Sequence, residues 1–109
     1  MKDVLSEIIA HKKIEVESQK KLVSIKDIEK KISESSYHSL SLKDALLKSS
    51  HGIIAEFKRR SPSKSWINKE ADASIIPLEY ENNGAAALSI LTDEVYFGGN
   101  INDLQKTVA

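Results

Sequence analysis

The composition of the chain excludes several classes of protein before any motif is considered. Its 109 residues suffice for one small domain, and 40% apolar with 29% charged residues is typical of a soluble globular protein. Sixteen basic residues balance sixteen acidic ones, so no overall field favours nucleic acid or an anionic membrane.

The residue pattern also argues against membrane, secreted and metal-binding proteins. No run approaches the roughly 20 apolar residues that a membrane span needs, and the charged N-terminus is unlike a signal peptide. The absence of cysteine removes disulfides, thiolate metal ligands and cysteine nucleophiles, and it fits a cytoplasmic protein. His11, His38 and His51 have no ligand spacing, which argues against a zinc site.

The first part of the chain predicts three helices. Apolar residues recur four positions apart near the N-terminus, which predicts a first helix over about residues 3–19. Ser24 is the predicted N-cap of a short second helix, and Ser41 is the predicted N-cap of a third. We assign residues 1–50 to an N-terminal helical extension.

The pattern then changes to alternating strands and helices over residues 51–109. Residues 52–58 and 86–92 predict two strands, and residues 59–71 predict a long polar loop. Strand, helix, strand and helix at this spacing form a βαβα unit, so we expect parallel strands joined by a right-handed crossover.

Capping residues predict where the two later helices begin and end. Ser74 is the predicted N-cap of the helix between the strands, because Pro77 then lies in the first turn, where its missing N–H costs little. An earlier cap at Asp72 would place the proline deeper and is less favourable. Asn83-Gly84 ends this helix, and Asn100 with Asp103 resembles a capping box for a helix that begins near Ile101.

The segment 53–64 (IIAEFKRRSPSK) joins the first strand to the polar loop. Side chains alternate along a strand, so Ile53, Ala55 and Phe57 share one apolar face. Ile54 shares the other face with Glu56 and Lys58, which lie side by side. Ligands bind at the carboxyl end of the strands in parallel α/β folds, which favours catalysis or anion binding by this pair. The alternative is an exposed ion pair of little consequence.

The basic residues of segment 58–64 are also compatible with a nucleic-acid patch, a localisation signal or a phosphorylation site. We favour none of these, because no aromatic residue is interleaved, the net charge is zero and an apolar strand leads directly into the cluster.

Three motifs in this order resemble the indole-3-glycerol-phosphate synthase family. They are the segment 53–64, then Tyr80 with the segment 83–93 (NGAAALSILTD), then the segment 96–99 (YFGG) followed by Leu104. The helical lead-in, with segments 10–12 and 41–46, is similar to the N-terminal extension of that family.

The resemblance implies an α/β fold, namely the first two βα units of a (βα)8 TIM barrel preceded by N-terminal helices. An eight-stranded barrel takes about 250 residues, so we expect the barrel to be incomplete in this chain. It further implies domains 1–50 (helical extension) and 51–109 (start of the barrel). The family's general acid, general base and main phosphate-binding turns have no counterpart here, so we expect this piece alone to be inactive.

The resemblance also implies a reaction and its residues. The family is a carbon–carbon lyase of tryptophan biosynthesis that converts 1-(2-carboxyphenylamino)-1-deoxyribulose 5-phosphate to indole-3-glycerol phosphate, with loss of carbon dioxide and water. Glu56 resembles a catalytic glutamate, Lys58 a catalytic and substrate-binding lysine, and Ser61 and Phe97 substrate-binding residues. The implied partner is an anionic sugar phosphate, with no cofactor, metal, nucleic acid or membrane.

Several alternatives stay open. Ser61 could be only a turn former, Phe97 a core aromatic, and Trp66 either a lid residue or an exposed aromatic. Ser65 stands where the family usually has glycine, and it would strain the loop if a positive φ is needed. The whole chain could be a non-catalytic anion-binding module derived from a phosphate-handling barrel, and open sheet edges predict a possible homo-oligomer.

Overall fold

A computed structural model describes residues 3–108, which form parts of two compact units, one up to Ser39 and one from Leu40 onward. Length alone indicates one small domain, but the contacts within the chain divide it into these two units, which also differ in burial. No described residue of the first unit is buried, whereas the second unit contains the hydrophobic core. The predicted domain boundary at residue 50 stays a prediction.

The first unit consists of helices α1 (Val4–Leu22) and α2 (Ile25–Glu34). The α2 N-cap is the predicted one, because the Ser24 hydroxyl accepts from the Asp27 N–H at 3.1 Å and the Asp27 carboxylate accepts from the Ser24 N–H at 2.9 Å. Helix α1 continues beyond the predicted end at residue 19. Within residues 3–108, no helix is long and apolar enough to cross a membrane.

The second unit contains three helices and four strands. In chain order these are α3 (Leu42–Lys48), β1 (Ile54–Phe57), β2 (Arg60–Ser61), β3 (Ser65–Trp66), α4 (Ile76–Asn82), β4 (Ala87–Ile90) and α5 (Ile101–Val108). Helix α3 begins at its predicted N-cap, since the Ser41 hydroxyl accepts from the Asp44 N–H at 3.1 Å.

Strands β1 and β4 pair in parallel, which confirms the predicted orientation. Ile54 lies opposite Ala87 and Phe57 lies opposite Ile90. The hydrogen-bonded ladder continues one residue past the carboxyl end of β4, where the Leu91 N–H donates to the Phe57 carbonyl at 3.1 Å. Both strands are shorter than the predicted residues 52–58 and 86–92.

The predicted polar loop over residues 59–71 is wrong in part, because it contains a small antiparallel hairpin. Strands β2 and β3 pair Arg60 with Trp66 and Ser61 with Ser65. Strands of two residues are too short to show an alternating pattern in a sequence. The turn of the hairpin covers residues 62–64, and Ser65 at the start of β3 has φ +56°, the only positive φ of a non-glycine residue within residues 3–108.

The predicted N-cap of α4 at Ser74 is also wrong, because the helix begins at Ile76 and its N-cap, Ile75, makes no side-chain capping bond; Asp72 instead holds the turn before the helix. The Asp72 carboxylate accepts from the Ser74 N–H at 2.8 Å, and the Asp72 carbonyl accepts from the N–H groups of Ile75 and Ile76. Pro77 does lie in the first helical positions, as predicted. Its missing N–H leaves the Ala73 carbonyl to the hydroxyl of Thr107 in α5, at 3.0 Å.

The core lies under the β1–β4 pair. Phe57, Ala71 and Ala73 are buried, and Ile76 and Ile90 pack against them. Phe57 is 3% exposed whereas Ile54 on the opposite face of β1 is 49% exposed, so the predicted apolar face is the one that packs on α4. The other face of β1, which bears Glu56 and Lys58, is left for the candidate site.

Candidate functional site

The candidate site lies at the carboxyl end of β1, where Glu56 and Lys58 form an ion pair. The Lys58 Nζ atom is 3.2 Å from the Glu56 Oε1 atom, and the two side chains are 35% and 47% exposed, respectively. An exposed pair of this kind contributes about 0–1 kcal/mol to stability. The pair therefore adds little to stability. Its position at the carboxyl end of a parallel strand, where ligands bind in parallel α/β folds, favours a role in function.

Phe57 and Arg59 fix the backbone that carries this pair. Phe57, which stands between Glu56 and Lys58 in the sequence, projects into the core. The Arg59 guanidinium lies 5.1 Å from the Phe57 ring centroid. The alternation of the strand thus places two anchoring side chains on one side and two charged, accessible side chains on the other.

Arg59 is the residue that reasoning from the sequence missed most clearly. Its guanidinium makes a two-pronged ion pair with Asp103, with nitrogen–oxygen distances of 2.5 and 2.8 Å. It also donates to the carbonyls of Ala71 at 2.8 Å and Gly98 at 3.1 Å. One side chain therefore joins the end of β1 to the segment before α4, to the loop after β4 and to α5.

The Arg59–Asp103 pair is largely shielded from solvent, since Asp103 is 1% exposed and the Arg59 side chain 12%. The hydrogen bonds from Arg59 lower the pKa of Asp103 below its ordinary value, and those to Asp103 raise the pKa of Arg59. Both groups therefore stay charged at neutral pH, and each neutralises the charge of the other.

Asp103 also completes the predicted capping box of α5. The Asn100 N–H donates to the Asp103 carboxylate at 3.1 Å, and the Asp103 N–H donates to the Asn100 side-chain oxygen at 3.0 Å. The sequence signal for Asp103 was therefore present, but it indicated only the local cap and not the distant arginine.

Arg60 joins the hairpin to the loop 93–99. Its backbone N–H donates to the Phe97 carbonyl at 3.2 Å, and its guanidinium donates to the Val95 carbonyl. The loop is closely packed, because a Cβ atom on Gly99 would lie 1.9 Å from the Leu91 carbonyl oxygen. Hairpin and loop therefore meet at the carboxyl end of the strand pair.

The predicted site residues fall into two groups. Glu56 and Lys58 touch each other, as the alternation of β1 predicts. Ser61 and Phe97 lie in the two segments that Arg60 connects, the hairpin and the loop after β4. The Ser61 side chain is buried, and its hydroxyl accepts from the Lys64 N–H at 3.1 Å, so the turn-forming interaction is present.

Trp66, in strand β3, is a partly exposed aromatic residue with two cationic side chains nearby. Trp66 is 46% exposed, and the cationic groups of Arg60 and Lys69 lie 5.8 and 5.2 Å from its ring centroid.

Within residues 3–108, no cluster of three or more histidine, cysteine, aspartate or glutamate residues could hold a metal ion.

Comparison with known proteins agrees with the geometry. The family model of indole-3-glycerol phosphate synthase matches residues 5–109. The indole-3-glycerol phosphate synthase of Bacteroides thetaiotaomicron is 54% identical over 105 residues, which cover 96% of this chain and 40% of the relative. The enzyme of the same name from Syntrophobacter fumaroxidans is 41% identical over 112 residues, covering 100% of this chain and 42% of the relative. That of Prochlorococcus marinus AS9601 is 40% identical over 105 residues, covering 95% of this chain and 36% of the relative.

The chain thus spans 36–42% of the length of these curated relatives. A family match over nearly all residues, together with the parallel strand pair and the charged edge of β1, leads to one assignment. The chain belongs to the indole-3-glycerol phosphate synthase family, whose fold is the TIM barrel.

Proposed function

We propose that this chain supplies the first part of the active site of an indole-3-glycerol phosphate synthase. The whole protein would be a carbon–carbon lyase of tryptophan biosynthesis, closing the indole ring of 1-(2-carboxyphenylamino)-1-deoxyribulose 5-phosphate with loss of carbon dioxide and water. The observation that carries the proposal is the Glu56–Lys58 pair, held 3.2 Å apart and open to solvent at the carboxyl end of β1.

The two charges suit this chemistry. The substrate carries a carboxylate and a phosphate, so the Lys58 ammonium can bind an anionic group and stabilise charge that develops during ring closure. Glu56 beside it orients the ammonium and can accept a proton from a reacting group. Both side chains are accessible, whereas the neighbours Phe57, which is buried, and Arg59, whose side chain is 12% exposed, hold the backbone in place.

Ser61 and Phe97 are proposed as substrate-binding residues. The segments that carry them are joined by the hydrogen bond from the Arg60 N–H to the Phe97 carbonyl, at 3.2 Å. A half-buried phenylalanine is suited to an aromatic substrate ring, and a serine hydroxyl to an anionic oxygen. The bond from Lys64 to the Ser61 oxygen does not use the hydroxyl proton, which leaves it for a ligand.

The same proposal extends to the architecture. Strands β1 and β4 with helices α4 and α5 would be the first two βα units of the barrel, residues 1–50 the helical extension, and residues 51–109 the start of the barrel. The paired strands leave one open edge each, and we infer that further strands of the barrel, or a second copy of the chain, cover them. The expected partner is an anionic sugar phosphate rather than nucleic acid or a membrane. A cytoplasmic location stays a prediction from the sequence.

A chimera tests the proposal. Residues of this chain replace the matching segment of the Bacteroides thetaiotaomicron relative, and conversion of the carboxyphenylamino-deoxyribulose phosphate is followed by the appearance of indole absorbance. We expect turnover by the chimera and none by the 109 residues alone, because a complete site needs more of the barrel.

The unmodified relative is the positive control, and circular dichroism establishes that the chimera is folded. A folded chimera without turnover, beside an active relative, would overturn the proposal. If such a chimera bound inorganic phosphate without turnover, the non-catalytic anion-binding module would be the better interpretation.

A further inference from the structure

Trp66 is seated on a glycine of the neighbouring loop. A Cβ atom on Gly98 would lie 2.8 Å from the Trp66 Cζ3 atom and 3.2 Å from Cη2, which is closer than van der Waals contact allows. Gly98 also has φ +65°, a conformation that favours glycine. The ring of Trp66 therefore occupies the space that any side chain at position 98 would need.

Arg60 holds Trp66 from a second direction. Its guanidinium lies 5.8 Å from the Trp66 ring centroid and donates to the Val95 carbonyl in the same loop. The two residues are also paired across the hairpin, Arg60 in β2 and Trp66 in β3. Trp66, Arg60 and the loop 93–99 thus form one set of contacts between two segments that are distant in sequence.

These contacts lie outside the hydrophobic core. Trp66 is 46% exposed, and the core consists of Phe57, Ala71 and Ala73 with their neighbours. A large aromatic ring at the surface, placed against glycine and a guanidinium, has its main effect on the relation of the hairpin to the loop. The hairpin contains Ser61, and the loop contains Phe97.

We propose that Trp66 is a positioning residue for the reaction, whose ring locks the hairpin 60–66 to the loop 93–99 and thereby fixes Ser61 and Phe97 relative to each other. The inference rests on the proposed function, because it takes Ser61 and Phe97 as substrate-binding residues. Trp66 acts through those two residues and need not touch the substrate.

The first test uses the 109-residue chain itself, in which Trp66 is the only tryptophan and reports on its own surroundings. Gly98→Ala should displace the ring, shift its fluorescence to longer wavelength and increase quenching by iodide. Gly52→Ala is the matched control, since Gly52 has φ +63° and no atom within 4 Å of the added Cβ. Equal spectra for the two variants would overturn the proposal, because backbone strain is common to both.

A second variant keeps the test decisive if Gly98→Ala fails to fold. Trp66→Leu should accelerate hydrogen exchange of the Arg60 amide, which donates to the Phe97 carbonyl, without accelerating that of Leu91 between the paired strands. Trp66→Phe should restore slow exchange, because a flat aromatic ring can lie on Gly98. Unchanged exchange of Arg60 in Trp66→Leu would contradict the proposed lock.

The third test is kinetic and uses the chimera. Trp66→Leu should raise KM about tenfold with a smaller effect on kcat, as expected when ground-state binding by two displaced residues weakens. Trp66→Phe should recover most of the loss, which a simple loss of stability would not predict. An active chimera whose KM is unchanged by Trp66→Leu refutes the positioning role alone, whereas an inactive unmodified chimera refutes the proposed function.

Discussion

Asp103→Asn is expected to lower the free energy of unfolding by about 3–5 kcal/mol, the range for removal of one partner from a buried ion pair. Asp103 is 1% exposed and meets the Arg59 guanidinium through both oxygens, at 2.5 and 2.8 Å. Asparagine keeps an oxygen for the Asn100 N–H, so the helix cap survives. At the position of the other carboxylate oxygen, however, an amide N–H now faces a guanidinium N–H. Domains of this size are stabilised by only about 5–15 kcal/mol, so the loss should be large.

The pH dependence of unfolding separates the ion pair from a simple packing defect. The pKa of Asp103 is below its ordinary value of 3.8 in the folded chain. The unfolded chain therefore binds the proton more readily than the folded chain does. The pair stabilises the fold at pH values above the ordinary pKa of 3.8, and its contribution is lost as the pH falls through the lower pKa of the folded state. Asp27 and Asp72 also have lowered pKa values, from hydrogen bonds with Ser24 and Ser74, so the acid response of the variant should be reduced rather than absent.

Urea unfolding followed by circular dichroism, at about pH 7 and about pH 3, measures both effects. Wild type should lose more stability between the two pH values than Asp103→Asn does. Glu81→Gln, which removes an exposed carboxylate of the same unit, is the control and should behave as wild type. The reasoning is refuted if Asp103→Asn retains wild-type stability at neutral pH, or if its loss of stability in acid equals that of wild type.

Three further variants test local features. Ser65→Gly should raise the free energy of unfolding by about 0.5–1 kcal/mol, because glycine relieves the strain at φ +56°; a lower melting temperature would contradict this. Ser24→Ala should destabilise α2 by about 1 kcal/mol through loss of its N-cap, seen as faster amide exchange confined to that helix. Gly99→Ala should unfold the second unit, since its Cβ would lie 1.9 Å from the Leu91 carbonyl oxygen, and a native circular dichroism spectrum would show that this contact can relax.

Local chemistry accounts for the parts of the fold that could be predicted from the sequence. Ser24, Ser41 and Asn100 begin their helices as predicted, because each N-cap bond joins residues three positions apart. The parallel pairing of β1 and β4 was predictable too, since a helix between two strands leaves little alternative.

Contacts between distant residues account for the parts that could not be predicted. Arg59 and Asp103 are 44 positions apart, and the hydroxyl of Thr107 meets the Ala73 carbonyl across 34 positions. Helix α4 begins at Ile76 rather than after Ser74, and Thr107 satisfies the Ala73 carbonyl that Pro77 leaves without a helical N–H. No local pattern contains that information.

The candidate site shows the same division. The contact between Glu56 and Lys58 follows from the alternation of a strand and was predictable. The sequence predicted strain at Ser65 only if that residue has a positive φ, and its φ is +56°. The contact of Trp66 with Gly98 depends on how the hairpin meets the loop, which only the folded chain reveals. The catalytic and binding roles of Glu56, Lys58, Ser61 and Phe97 stay predictions.

Steady-state kinetics of the chimera with Lys58 replaced tests the central claim most directly. Lys58→Met removes the ammonium beside Glu56 but keeps most of the aliphatic side chain, and Lys48→Met, on the exposed surface of α3, controls for loss of one charge. We expect Lys58→Met to lower kcat/KM at least about 100-fold, as when a group that stabilises developing charge is removed, and Lys48→Met to leave it unchanged. Equal kcat/KM for Lys58→Met and Lys48→Met would contradict the assignment of the active site to the carboxyl end of β1.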